Sequence, residues 1–241
     1  MNVIMLNGSF RKQNSYGLLV QISQILRGHG VDSEIINLFD YRINACIGDD
    51  DNCIKTGSCA QNDDMPALRQ KLLDCDGIIL SSPVYLGNVT STFKAFADRT
   101  NEWFHKPRPA GKPVLFVATT AVSGIKDTLH FFDVLTTGWG ARKGGSIVRA
   151  KKNMDMPVQE KEVSRFRSLL ENDKKYYRPG MNDIVIYNVQ KVMALKSDGD
   201  DHRFWEEKGW FGKPYYYDCR MSPGKKAFSK MMSRILAKAM K

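Results

Sequence analysis

Met1-Asn2-Val3-Ile4-Met5-Leu6-Asn7-Gly8-Ser9-Phe10-Arg11-Lys12-Gln13-Asn14-Ser15-Tyr16-Gly17-Leu18 opens the chain, and the rest is read outward from it. Val3 to Leu6 is an apolar run of strand length. The segment from Asn7 to Ser15 is polar, with one glycine, two serines and two cations. From Tyr16 onward Leu18, Leu19, Ile22, Ile25 and Leu26 recur at helical spacing. Strand, polar loop and helix in that order suit a phosphate-sized anion, because the first N–H groups of a helix lack internal partners and its dipole favours negative charge there. Ser9, Asn14 and Ser15 offer short donors, Arg11 a forked cation, and Ser15 is also read as the N-cap. A plain capped turn after a strand is the alternative. No G-K-[ST] follows, so the loop is not a Walker loop, and it lacks the G-x-G-x-x-G of dinucleotide folds.

The same alternation continues. Val31 to Leu38 reads as a second strand and Met65 to Leu73 as a helix entered at Asp63-Asp64. Ile78 to Tyr85 is apolar enough for a central strand and leads through Leu86-Gly87-Asn88 into a helix expected from about Val89 to Phe104. Val114 to Ala118 is another apolar strand. It runs into Thr119 to Gly124 and a helix to about Leu135, and Ser146-Ile147-Val148 is the last strand. Strands alternating with helices predict an α/β fold: a five-stranded parallel sheet of order 2-1-3-4-5 between helical layers, with a ligand crevice at the strand C-terminal ends. The loops Asn7 to Ser15, Pro83 to Asn88 and Thr119 to Gly124 then fall side by side, suiting a flat ligand with a phosphate at one end.

The chain has 241 residues, 42% of them hydrophobic, and a formal charge of +10. That length fits one domain with an elaborated end: residues 1–150 as the α/β domain and 151–241 as a helical extension packed on it or on a dimer partner. Residues 1–148 carry 15 Lys and Arg against 14 Asp and Glu, so nearly all the excess belongs to the remainder, with 21 against 12. With no spanning-length apolar run, no export signal and five cysteines, a cytoplasmic protein without a disulfide framework is expected.

Gly8-Ser9-Phe10-Arg11, Asn14-Ser15, Asp63-Asp64-Met65, Ser82-Pro83-Val84-Tyr85-Leu86-Gly87 and Phe93-Lys94-Ala95-Phe96-Ala97-Asp98-Arg99 together resemble the flavodoxin-like NAD(P)H-dependent FMN reductases, nearest the iron–sulfur flavoprotein branch, over about the first 150 residues. The resemblance implies a flavodoxin-like fold holding FMN. Ser9, Arg11, Asn14 and Ser15 would take the phosphate. Pro83, Val84, Tyr85, Leu86, Gly87 and Asn88 would line the ribityl chain and ring, and Thr119, Thr120, Ala121, Ser123 and Gly124 would approach the pyrimidine edge. The flavin carries the chemistry, so no catalytic acid or base is nominated. The implied activity is transfer of hydride from NAD(P)H to a small acceptor such as a quinone, a nitro-aromatic or flavin, in a homodimer. A flavodoxin-type electron carrier and a non-catalytic redox sensor are the alternatives.

The cysteine segment departs from that branch. After Cys46, Asp49 stands where the branch's second cluster cysteine would be, and Cys53 and Cys59 follow out of step, so no metal is expected and the loop reads as acidic and lying over the flavin. Cys75 reads as a core residue.

The C-terminal third is read from its residues. Met156 to Leu170 and Asp183 to Leu195 are read as helical. The aromatics Phe204, Trp205, Trp210, Phe211, Tyr215, Tyr216 and Tyr217 are either a lid or dimer contact near the ring, or the packing of an added layer. A last helix from about Gly224 carries Phe228, Met231, Met232, Ile235, Leu236 and Met240 on one face, against Lys225, Lys226, Lys230, Arg234, Lys238 and Lys241. Docking of its apolar stripe on the body is favoured over contact with a membrane surface, and nucleic acid is not expected.

Overall fold

The computed structural model describes residues 1–57 and 59–239, the side chains of Asp50 and Asp51 excepted; Met240 and Lys241 of the last helix lie outside the described residues. Five strands form one sheet in the order β2-β1-β3-β4-β5, every neighbouring pair parallel. They are β1 (Asn2–Asn7), β2 (Asp32–Asn37), β3 (Gly77–Pro83), β4 (Pro113–Thr120) and β5 (Arg142–Ala150). This is the flavodoxin-like arrangement expected from the sequence.

Alternation along the strands sorts the core into two layers. Ile4, Leu6, Ile78, Leu80, Val114 and Phe116 face one side. There they meet the helices α3 (Met65–Asp74), α4 (Ser91–Asp98), α5 (Glu102–His105) and α6 (Ile125–Gly138) through Leu68, Leu72, Phe93, Phe96, Trp103 and Phe132. Val3, Met5, Ile79, Leu115 and Val117 face the other side, under α1 (Asn14–Gly28). Between α3 and α1 in this count lies the short α2 (Asp50–Thr56). The helix α7 (Glu160–Glu171) shares the second face with α1, burying Val163 and Phe166 in the same cluster. Phe166 lies so close that a Cβ on Gly144 would come 2.9 Å from its Cβ.

Three expectations are revised. The helix read from Val89 to Phe104 is two helices, α4 and α5, because Arg99 turns out of line to pair with Asp63 and Thr100 donates back to the Ala97 carbonyl at 2.7 Å. The fifth strand begins well before Ser146: Arg142 and Lys143 pair with Pro113 and Val114, and a register shift between Val114 and Phe116 absorbs the glycines. Ser15 is not the N-cap of α1. Gln13 occupies that position without a side-chain cap, and Ser15 is buried in the first turn.

The remaining chain builds a third cluster. The helices α8 (Met181–Lys196), α9 (Asp200–Glu207) and α10 (Pro223–Ala239) gather Ile184, Tyr187, Trp205, Trp210, Tyr215 and Tyr216. Trp205 Nε1 donates to the His105 carbonyl at 2.9 Å, and the Tyr187 hydroxyl donates to backbone carbonyls of Trp210 and Lys213 at 2.8 and 2.7 Å. The aromatic stretch is therefore a packed layer in which Trp205, Tyr187 and Tyr216 find polar partners, while the buried Tyr217 hydroxyl has none among the described residues. Among the described residues no helix is long and apolar enough to cross a membrane.

Candidate functional site at the C-terminal edge of the sheet

The strands β1, β3 and β4 end beside one another, and their loops enclose a crevice of about 300 Å³. Ser9, Arg11, Asn14, Ser15, Pro83, Val84, Tyr85, Thr119, Thr120 and Ala121 line it, ten of the residues expected from the sequence. Gln13, Lys151 and Met154 line it as well. Sequence reasoning missed these last two because they follow β5, where the only signal was a polar break after the strand. Leu86, Gly87, Asn88, Ser123 and Gly124, also expected there, do not line the crevice.

The floor is a hydrogen-bonded assembly that leaves little room for side chains. Gly8 N donates to the Ser81 carbonyl at 2.8 Å, and a Cβ on Gly8 would lie 2.9 Å from Phe93 Cδ2. Asn7, wholly buried, accepts from Ser9 N at 3.2 Å and donates to the Ser9 carbonyl at 3.1 Å, which fixes the first loop's entry. Thr90 Oγ1 donates to the Gly8 carbonyl at 2.7 Å. The Ser15 and Thr119 hydroxyls share a buried hydrogen bond of 2.7 Å, tying the first turn of α1 to the end of β4.

The second loop is a tight turn. Tyr85 and Asn88 exchange backbone hydrogen bonds of 2.8 and 3.0 Å around Leu86 and Gly87, whose φ angles are 50° and 77°. Gly124, at φ 83°, lies against it: a Cβ there would stand 2.7 Å from both the Gly87 Cα and Val84 Cγ1. Val84 N donates to the Thr119 carbonyl at 2.8 Å.

This geometry fits a phosphate-bearing nucleotide. The first N–H groups of α1 have no helical partner, and no side chain caps them. Arg11 and Lys151 bring positive charge to the lining, which contains no Asp or Glu. Helix N-terminus, side-chain donors and two cations thus line one crevice.

The cysteine segment lies elsewhere. Its anchor is a buried ion pair, Arg99 to Asp63, at 2.5 and 3.1 Å, with the two side chains 3% and 0% exposed. Burial pushes the Asp63 carboxyl up, but the Arg99 hydrogen bonds, the Asn44 and Met65 N–H donors and the guanidinium charge prevail and hold it below the usual carboxylate range. Cys46 faces an apolar cavity with Phe104, Phe131, Leu135 and Trp139, and Cys59 faces a different one with Arg69 and Arg108. No residue of this segment lines the crevice, so it does not lie over that site. Among the described residues no three His, Cys, Asp or Glu side chains are grouped to hold a metal ion, and the thiols do not fit an iron–sulfur cluster. Cys75 is buried in the core, its thiol pushed up by desolvation.

A parallel sheet in this order with a phosphate-ready crevice at its switch point defines a flavodoxin-like flavin mononucleotide protein. The family described as NADPH-dependent FMN reductase matches residues 1–152, and the chain belongs to it. FMN is its cofactor. An iron-sulfur flavoprotein of Archaeoglobus fulgidus is 28% identical over 222 residues, spanning 87% of this chain and 100% of the relative. Another from the same organism is 39% identical over 100 residues, 42% of this chain and 49% of that protein. Among solved structures, a flavone reductase aligns with TM-score 0.53 at 17% identity, over 70% of this chain and 60% of its own. RosB with a bound formylriboflavin phosphate intermediate aligns with TM-score 0.56 at 13% identity, over 90% and 83%. At those identities the two structures speak for the fold. The chain is an FMN-dependent oxidoreductase.

Proposed function

We propose that this oxidoreductase takes hydride from NAD(P)H and passes the electrons to a small flat acceptor of the quinone, nitro-aromatic or flavin class. In this reading the free N–H groups at the start of α1, with Ser9, Asn14 and Arg11, hold the FMN phosphate. Ser15 contributes its backbone, because its hydroxyl is committed to Thr119. Pro83, Val84 and Tyr85 flank the ribityl chain and ring, while Thr119 to Gly124 offers backbone donors to the pyrimidine edge. FMN, when bound, supplies the ring that accepts and gives up hydride, so the chain's task is to bind, orient and shield it.

The observation that carries the acceptor class is the rim. Each of the three loops carries an exposed apolar side chain: Phe10, edge-on to the Phe39 ring, is 77%, Leu86 107% and Val122 88% exposed. Such a mouth favours an apolar, flat molecule over a strongly hydrated one.

The test is to load the protein with FMN and add NADPH or NADH without oxygen while following the flavin absorbance, then to measure turnover with a benzoquinone. Bleaching followed by turnover supports the proposal. If neither nicotinamide bleaches the flavin, the reductase reading falls and an electron carrier or sensor replaces it.

A further inference from the structure

The last helix carries a feature that the reductase reading does not use. One side of α10 packs on α8, with Phe228, Met232 and Leu236 half-buried and Ser229 fully so. Asn188 Nδ2 donates to the Ser229 hydroxyl at 3.0 Å, which in turn donates to the Pro214 carbonyl at 2.9 Å. The apolar stripe read from the sequence is therefore split. Met231 and Ile235 do not reach the body and remain 49% and 50% exposed.

Beside them runs a row of exposed cations, Lys226, Lys230, Arg234 and Lys238, each four residues from the next. Like charges at that spacing face each other along a helix and destabilise it. The described part of α10 contains no acid, and among the described residues none of these four cations forms an ion pair. At the N-terminal end of the same helix, Arg178, Arg220 and Lys225 line a cavity of about 390 Å³ with Met221 and Ser222, again without a carboxylate. Lys225 Nζ donates to the Pro179 carbonyl at 2.5 Å, which fixes it in that wall.

We propose that this face of α10 docks on an anionic lipid bilayer, Met231 and Ile235 entering the interface while the cation row meets the phosphate groups. The cations call for a polyanion. The exposed apolar row at their side, spaced at i and i+4 along the helix, selects a surface with an oily layer beneath its charge, which a nucleic acid lacks. The row spans about 18 Å of helix, long enough to meet several headgroups at once. The inference is independent of the acceptor assignment.

Flotation of the FMN-loaded protein with phosphatidylcholine vesicles containing about a third phosphatidylserine tests this at low salt. Wild type should float with these vesicles and not with pure phosphatidylcholine. The pair Lys230→Glu and Arg234→Glu should lower partitioning by at least about tenfold. The same charge change on α7, Lys161→Glu with Arg165→Glu, should leave it within about twofold if the helix rather than net charge acts. Replacing Met231 and Ile235 by Gln should also weaken flotation while leaving retention on heparin unchanged. All these positions are exposed, and unchanged flavin absorbance confirms folding. Failure of wild type to float, equal loss in the α7 variant, no effect of the Gln pair, or binding to a short DNA duplex but not to vesicles would each overturn the proposal.

Discussion

Gly124 and Gly87 stand backbone to backbone, so close that a Cβ on Gly124 would lie 2.7 Å from the Gly87 Cα. The second and third loops are therefore held at a spacing that only a residue without a side chain permits, and Gly124 also has the positive φ that side chains disfavour. Gly124→Ala should cost about 1–3 kcal/mol of stability. It should also weaken FMN binding by about tenfold or more, measured by quenching of flavin fluorescence.

Arg11 is the cation of the first loop that lines the crevice. Losing a charge-assisted hydrogen bond to phosphate costs about 1.5–3 kcal/mol, so Arg11→Ala should raise the FMN dissociation constant by about ten- to a hundredfold. Riboflavin, which has no phosphate, should bind both proteins alike. Equal loss for the two ligands would place Arg11 away from the phosphate.

Leu86 combines φ 50° with full exposure, an arrangement that backbone energetics and the hydrophobic effect both oppose. A two-residue turn of this kind favours Asn-Gly. Leu86→Asn should raise stability by up to about 1 kcal/mol, leave FMN affinity unchanged and raise KM for an apolar quinone several-fold. Thermal melts and steady-state kinetics read the two effects separately.

The Arg99–Asp63 pair gives a pH signature. Asp63 titrates lower in the folded chain than the ordinary value of about 3.9, so its contribution is complete above about pH 5 and is lost as pH falls through the folded value. Asp63→Asn leaves a buried guanidinium uncompensated, at a cost of about 3–5 kcal/mol. The stability gap between wild type and variant should be flat at neutral pH and narrow as pH falls below about 4 in denaturant titrations.

Trp205, fully buried among Tyr187, Trp210 and Tyr216, is a core residue of the third cluster. Trp205→Ala should cost about 3–5 kcal/mol. FMN affinity of the folded fraction should stay within about twofold, because no residue of this cluster lines the crevice. A lid over the ring would give the opposite pattern.

The sheet order and ten lining residues were legible because they rest on local signals: apolar runs such as Ile78 to Leu80 and Val114 to Ala118, followed by polar glycine loops. What escaped depends on partners distant in sequence. Nothing near Arg99 announces that it will leave its helix for Asp63, and nothing in Arg142 to Gly145 reads as strand until β4 lies beside it. Lys151 and Met154 reach the crevice only through the length of that misread strand. The split of the α10 stripe depends on how α8 presents its surface, which periodicity does not reveal.

The hydroxyl bridge between Ser15 and Thr119 spans residues 104 positions apart and is sealed from water. Heat or denaturant cannot pull β1 and its helix from β4 without tearing out the seat of the nucleotide. Melting of the sheet and release of the flavin should therefore coincide in one cooperative event. Saturating FMN would then act as a brace for the whole sandwich, with its protection growing as the logarithm of nucleotide concentration.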